Sequence, residues 1–166
     1  SNIGLYSIYA SLKHDNLKVI SFEPSTSNLR ILSRNISINK MGNKITICQL
    51  PLGQSPLNFN KMNETNFLEG FSENTFGKDI NFEGKKMKTN NSYELLGTSI
   101  NQLIKDGILK CPNYVKIDVD GIEHLILNGA TNILADTSLK SILVEINENF
   151  EEQYKSIFKI MDNYHF

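Results

Sequence analysis

Lys116–Ile117–Asp118–Val119–Asp120–Gly121–Ile122–Glu123 decides how the chain is read. A mainly apolar run, Tyr114–Val115–Lys116–Ile117, breaks off at two carboxylates and a glycine, and a helix-like pattern then carries Leu125, Ile126 and Leu127 up to Asn128–Gly129. The pattern predicts a buried strand, a tight turn and a helix. In open α/β sheets ligands bind beyond the carboxyl ends of the strands, where Asp118 and Asp120 fall. Asp120 is placed to cap the helix, with Glu123 at N3 in a variant of the capping box. Asp118 closes the strand inside the turn, where a carboxylate needs a partner or a ligand. It is the first candidate for a functional role.

Upstream, the same alternation of strand and helix begins at once. Asn2–Ile3–Gly4–Leu5 opens a predicted helix with Asn2 as N-cap, Ile3, Tyr6 and Ala10 on one stripe and Leu5, Ile8 and Leu12 on another. A helix opening with Asn and an early Gly often follows a strand whose turn holds a phosphate or carboxylate. Val19–Ile20–Ser21–Phe22 is a short β-rich run that ends at Glu23, and Pro24 stops it. Glu23 lies 19 residues beyond Gly4. An acidic residue ~20 residues past a glycine turn, at the end of the second strand, is placed to accept both ribose hydroxyls of an adenosine cofactor, two carboxylate oxygens matching a vicinal diol.

A second helix is predicted over 25–39, with Leu29, Leu32 and Ile36 inward, Arg30 and Arg34 on a solvated face, and Gly42 as its C′ residue. Ile45–Leu50 reads as a third strand. The rhythm returns at Ser99, the predicted cap of a helix running to Gly107; Ser141–Ile146 is then a buried strand with Glu145 near its carboxyl end. A helix over 149–163 should turn Phe150, Tyr154, Ile157, Phe158 and Met161 inward. Between the halves, about residues 57–98 are rich in Asn, Gly and Phe. Leu57–Asn60 and Tyr93–Leu96 have strand character, which predicts an inserted β-meander or lid. Its phenylalanines, Phe59, Phe67, Phe71, Phe76 and Phe82, are expected to bury the insertion or line an acceptor site.

Strands alternating with helices predict an α/β fold, a mostly parallel sheet with helices on both faces. Four stretches in this order, Asn2–Ile3–Gly4, Val19–Pro24, Lys116–Glu123 with Asn128–Gly129–Ala130, and Val144–Glu145–Ile146, resemble the FkbM-type methyltransferases over nearly the whole chain. The Lys116–Glu123 stretch is the most specific of them; a strand-end acid such as Glu23 is shared by many methyltransferases. The resemblance implies a Rossmann-like class I methyltransferase domain over 1–166 that uses S-adenosylmethionine. It implies transfer of a methyl group to a hydroxyl of a sugar, glycan or natural product, a small-molecule or glycan acceptor. Asn2, Gly4, Glu23 and Asp118 are the implied cofactor residues, and Asp118 is also the first candidate base, ahead of Asp120, His124 and Glu145. His124 otherwise reads as an exposed helix residue. In the family the motif ending in Asn2–Ile3–Gly4 begins with a strand and an acidic residue before glycine. Neither that strand nor the family's last strands are found here, so a truncated domain is implied. Asn101 stands where the family more often has Asp, and Gln54 where an acidic residue is common.

Composition bounds the alternatives. The chain has 166 residues, 40% hydrophobic and 21% charged, ordinary for one globular domain. A net charge of −1 gives no global field toward nucleic acid, and no apolar run approaches the ~18 residues of a membrane span. Two cysteines, Cys48 and Cys111, make no disulfide framework and fit a reducing, cytoplasmic setting. His14, His124 and His165 lack the spacing of a metal site. Two further classes stay open. A nicotinamide-dependent oxidoreductase would share the fold and Glu23, and Tyr9–Lys13 has the Tyr-x-x-x-Lys spacing of one dehydrogenase family, though on the first helix. A non-catalytic Rossmann-like binding module is the other.

Overall fold

The structure is a computed structural model and describes residues 1–166. The chain is mixed α/β, and it divides into two compact units, Ser1–Pro51 with Asn66–Ser72, and Leu52–Thr65 with Glu73–Phe166.

The first unit is built from α1 (Leu5–Lys13), β1 (Val19–Phe22), α2 (Thr26–Ile38) and β2 (Ile45–Cys48). β1 and β2 run parallel, Val19 opposite Ile45 and Phe22 opposite Cys48, and the Glu23 N–H extends the ladder to Cys48 O at 3.0 Å. The core is Ile8, Leu32, Ile36 and Ile45, closed by Val19, Leu29, Met41 and Ile47. Leu29, Leu32 and Ile36 are the stripe expected of α2. The buried hydroxyls of Ser7 and Ser21 meet at 2.7 Å and tie α1 to β1.

Two helix ends differ from expectation. Asn2 does not cap α1. Gly4 stands at the N-cap with φ 88°, and an alanine Cβ there would come within 2.5 Å of Leu32 Cδ1. Gly42 is not the C′ residue of α2 either. Lys40 takes the left-handed conformation, φ 57°; its N–H donates to Ser37 O and that of Met41 to Ile36 O, a Schellman motif whose apolar contact is Met41 on the core. α1 also turns the opposite way from a fully buried stripe: Ser7, Ile8 and Ser11 are buried while Leu5, Tyr6, Tyr9 and Leu12 are exposed.

The second unit holds two sheets and four helices, with β3 (Asn58–Glu64), β4 (Asn74–Phe76), β5 (Asn91–Gly97), α3 (Ile100–Lys105), β6 (Tyr114–Ile117), α4 (Glu123–Asn128), α5 (Thr131–Leu134), β7 (Ser141–Val144) and α6 (Glu151–Asn163). β6 and β7 are parallel, Tyr114 opposite Ser141 and Ile117 opposite Val144. Their core is Ile117, Ile126, Leu127, Ala130, Ile133 and Ile157 with their neighbours. Ser99 caps α3 as expected, accepting the Gln102 N–H at 3.2 Å. α4 ends at Gly129, where any Cβ would stand 2.2 Å from Gly53 O, so only glycine permits this approach of two backbones.

β3, β4 and β5 form a three-stranded antiparallel sheet of order β4-β3-β5, so β5 lies at the far edge of β3 and the order is not that of a meander. Met62, Phe76 and Ile122 make its core, against Val119 and Leu125. Of the phenylalanines expected to bury this segment, Phe76 is buried, whereas Phe59, Phe67 and Phe82 are exposed. α6 is rotated from the expected face. Gln153, Ile157 and Ile160 point inward, while the Tyr154 and Phe158 rings lie tilted against each other at the surface, centroids 4.6 Å apart. No helix is long and apolar enough to cross a membrane.

Candidate functional site

In the first unit, the end of β1 brings together three residues singled out from the sequence. Glu23 is 5% exposed. Its Oε2 accepts the Asn2 N–H at 2.5 Å and its Oε1 the Ser25 N–H at 3.0 Å, bonds that fix the carboxylate between the loop before α1 and the start of α2. Asn2 takes φ 51°, donates through Nδ2 to Gly70 O at 3.2 Å, and leaves its Oδ1 buried without a hydrogen-bond partner. Gly4 follows in the same loop. Asn28, 2% exposed, holds the 66–72 segment by donating to Phe71 O and accepting the Gly70 N–H. The donor set around Glu23 therefore joins a carboxylate with lone pairs remaining to an orphaned amide oxygen, a combination suited to hydroxyl or ammonium donors. Tyr9 and Lys13 lie elsewhere, an exposed cation–π pair at 5.6 Å on α1.

In the second unit, the turn after β6 is organised by Glu123. α4 begins at Glu123 with Ile122 at the N-cap, so Asp120 is not the cap and Glu123 is not at N3. Glu123, fully buried, accepts the Val119 N–H at 2.9 Å, the Gly121 N–H at 3.1 Å and Gln153 Nε2 at 2.6 Å. Gln153 Oε1 accepts the Asn147 N–H at 2.9 Å. Asp120, with φ 60°, instead accepts the Glu73 N–H at 3.0 Å and secures the approach to β4. Burial pushes its carboxyl above the usual range, the Glu73 N–H opposes, and the charges of Glu123 and Asp118 add to the rise.

Asp118 follows β6 directly and is paired with the Lys116 ammonium. Burial pushes it up, but Lys116 and a hydrogen bond with Glu145 hold its carboxyl below the ordinary value. Glu145 moves the other way: loss of hydration, then the hydrogen bond and charge of Asp118, then the charges of Glu123 and Asp120, push it up to about 7. Glu145 borders a cleft of about 320 Å³ together with Phe82, Gly121, Asn147, Asn149 and Gln153. One wall is the loop at Asn81–Gly84, held by Asn147 Nδ2 on Phe82 O at 2.9 Å and seated on Gly121. His124 is buried, not exposed as expected, edge-on to Phe150 at 5.9 Å, with Nδ1 unpartnered; burial lowers its pKa.

With the carboxylates at the strand ends in place, comparison with known proteins is informative. The profile of the methyltransferase FkbM domain matches residues 1–166. The chain belongs to the FkbM methyltransferase family. Methyltransferase sdnD of Sordaria araneosa is 24% identical to it over 148 residues, covering 78% of this chain and 57% of that protein. This FkbM-family chain thus spans little more than half the length of that curated relative. No solved structure matches it. Within the FkbM family pattern, Asn101 has a structural use here. Its Oδ1 accepts the Asn132 N–H at 2.8 Å and its Nδ2 donates to Thr131 Oγ1 at 2.8 Å, bonds that tether the start of α5. Gln153 and Asn147 went unnoticed in the sequence. The available signal was Gln153 itself, a polar residue four and seven positions ahead of inward Ile157 and Ile160.

Proposed function

We propose that this FkbM-family chain carries out S-adenosylmethionine-dependent methyl transfer to a hydroxyl oxygen of a sugar, glycan or natural-product acceptor. On this reading, residues 1–166 form one Rossmann-like methyltransferase domain, with about 57–98 as its β-rich insertion. The observation that carries it is the end of β1: a buried Glu23 fixed by backbone N–H groups beside the orphaned Asn2 Oδ1. A buried amide oxygen left without a donor is costly, and a ligand's hydroxyl or ammonium would supply one.

When bound, S-adenosylmethionine supplies an electrophilic methyl group on sulfur. Glu23 would accept hydrogen bonds from its vicinal ribose hydroxyls. Asn2 supplies its free Oδ1, and Gly4, without a side chain, leaves the backbone of the α1 start open to close approach. Most of the rate would come from alignment of acceptor oxygen, methyl carbon and sulfur, worth ~7–11 kcal/mol when the geometry is good.

Calorimetry with S-adenosylmethionine, and with a nicotinamide dinucleotide as the competing class, tests this reading. Glu23→Gln keeps the shape of the side chain. It should weaken S-adenosylmethionine binding by about 1.5–3 kcal/mol, the range for hydrogen bonds to a charged group, with the fold intact by circular dichroism. Binding of the dinucleotide in place of S-adenosylmethionine would overturn it in favour of an oxidoreductase; binding of neither would leave a non-catalytic module.

A further inference from the structure

We propose that Glu145 is the group that accepts the acceptor's hydroxyl proton, that Asp118 positions it, and that the cleft bordered by Phe82, Asn147 and Gln153 receives the acceptor. The inference rests on the methyl-transfer reading above.

The pair follows from strand register. β6 and β7 are parallel with Ile117 opposite Val144, and the Glu145 N–H continues the ladder to Ile117 O at 3.0 Å. The next register position sets Asp118 beside Glu145, and side chains at matched positions leave the sheet on the same side. Each carboxyl group shifts the other's titration, Asp118 downward and Glu145 upward. Two neighbouring carboxylates resist ionising together, so the pair ionises in two steps. Lys116 decides which member keeps the proton. Its ammonium is paired with Asp118, so Asp118 is the ionised member and Glu145 the protonatable one. Asp120 and Glu123, the other acids of the same turn, add negative potential and favour the proton on Glu145.

A carboxyl group that titrates near 7 is both substantially ionised and basic enough at neutral pH to take a proton, the match general-base catalysis needs. Asp118, held below the ordinary range, is the weaker base of the two. The surroundings of Glu145 also suit a hydroxylated acceptor. The cleft of about 320 Å³ is lined by Phe82, Asn147, Asn149 and Gln153, with Glu148 as its second acid beside Glu145. Gln153 is held in place in this lining, because both ends of its side-chain amide are committed, to Asn147 N–H and to Glu123. In the transfer, the hydroxyl O–H bond breaks and its proton passes to the Glu145 carboxylate. The hydroxyl oxygen gains the methyl carbon, and the carbon–sulfur electron pair remains on sulfur, which leaves as a neutral thioether.

Two measurements test this. Carboxyl carbon-13 NMR of glutamate-labelled protein should show one resonance, absent in Glu145→Gln, with its midpoint near the value of about 7. In Asp118→Asn, where the neighbouring negative charge is gone, that midpoint should fall by about one unit or more. Methyl transfer from S-adenosylmethionine to a panel of methyl glycosides should rise with pH through the same midpoint. Glu145→Gln should lower it about 10²–10⁴-fold with the S-adenosylmethionine affinity unchanged, and Asp118→Asn should shift the profile toward lower pH. A Glu145 midpoint below about 5.5, in the ordinary carboxylate range, or full turnover by Glu145→Gln, would overturn the assignment while leaving methyl transfer standing. A protein that neither binds S-adenosylmethionine nor methylates any glycoside would overturn the methyl-transfer reading and this inference with it.

Discussion

Glu145 and Asp118 respond to pH in opposite senses, and stability should record both. Glu145 has a folded-state pKa raised to about 7, against ~4.3 for an unperturbed Glu. The folded state binds that proton more tightly, so the stabilisation is complete below ~4.3 and is lost as pH rises through about 7. Asp118 is depressed, so its contribution is present above ~3.9 and is lost on acidification below that value. The melting temperature of Glu145→Gln, subtracted from that of the unmodified protein, should therefore decline between about pH 4.5 and 7.5, within the window set by linkage. Asp118 and Glu145 are both exposed, so solvent screening keeps the effect small. Thermal denaturation across that range checks it; a difference that grows with pH would refute the raised value for Glu145. The sequence placed Asp118 at a strand end and Glu145 near another, but their pairing depends on the β6–β7 register, which no local pattern states.

At the scale of elements, the parallel pairs were readable because each strand is a short β-prone run cut off by a breaker: Glu23–Pro24 after β1, Pro51 after β2, Asp118 to Gly121 after β6. The antiparallel sheet was only partly readable. β4 has little apolar content, and Asn63, Glu64 and Thr75 are buried by hydrogen bonding instead of by hydrophobicity, as in Asn63 Nδ2 on Lys78 O at 2.9 Å. Hydrophobic periodicity is blind to such positions. The ends of helices were misplaced for a related reason: the left-handed residue was sought at a glycine, whereas α2 places Lys40 there at φ 57°. That misreading yields a prediction. Lys40→Gly should stabilise the protein by about 1 kcal/mol, since a side chain in the left-handed region costs roughly that much. Gly129→Ala should do the reverse. Its Cβ would meet Gly53 O at 2.2 Å, a backbone atom that gives way only if the chain moves, and overpacking of this kind costs about 1–3 kcal/mol or more. Urea unfolding of the two variants checks both signs; a destabilised Lys40→Gly would mean that the Lys40 side chain matters more than its conformation.

At the scale of the whole molecule, each compact unit has its own core, Leu32 and Ile36 in one and Leu127 and Ile157 in the other, yet in the second unit a polar group is as central as any leucine. Glu123 is fully buried and Gln153 is 2% exposed. Between them they satisfy the turn after β6 and tie it to α6 and, through Asn147, to the loop after β7. Deleting the carboxylate strands two backbone N–H groups and one amide away from water, and each stranded group costs about 1–3 kcal/mol. Glu123→Ala should therefore lose about 3–5 kcal/mol, the size found when a buried polar network is broken. Glu123→Gln should be milder but not neutral, because its amide nitrogen brings a donor to a place that already faces only donors. The decisive measurement is a double-mutant cycle with Gln153→Leu. Once Glu123 is gone, removing the stranded Gln153 amide relieves part of the penalty, so the double variant should be more stable than the sum of the single losses predicts, by about 0.5–3 kcal/mol. Losses that simply add would show that Glu123 and Gln153 serve the turn and the helix separately, and that the cleft lining beside Glu145 is not held by one network.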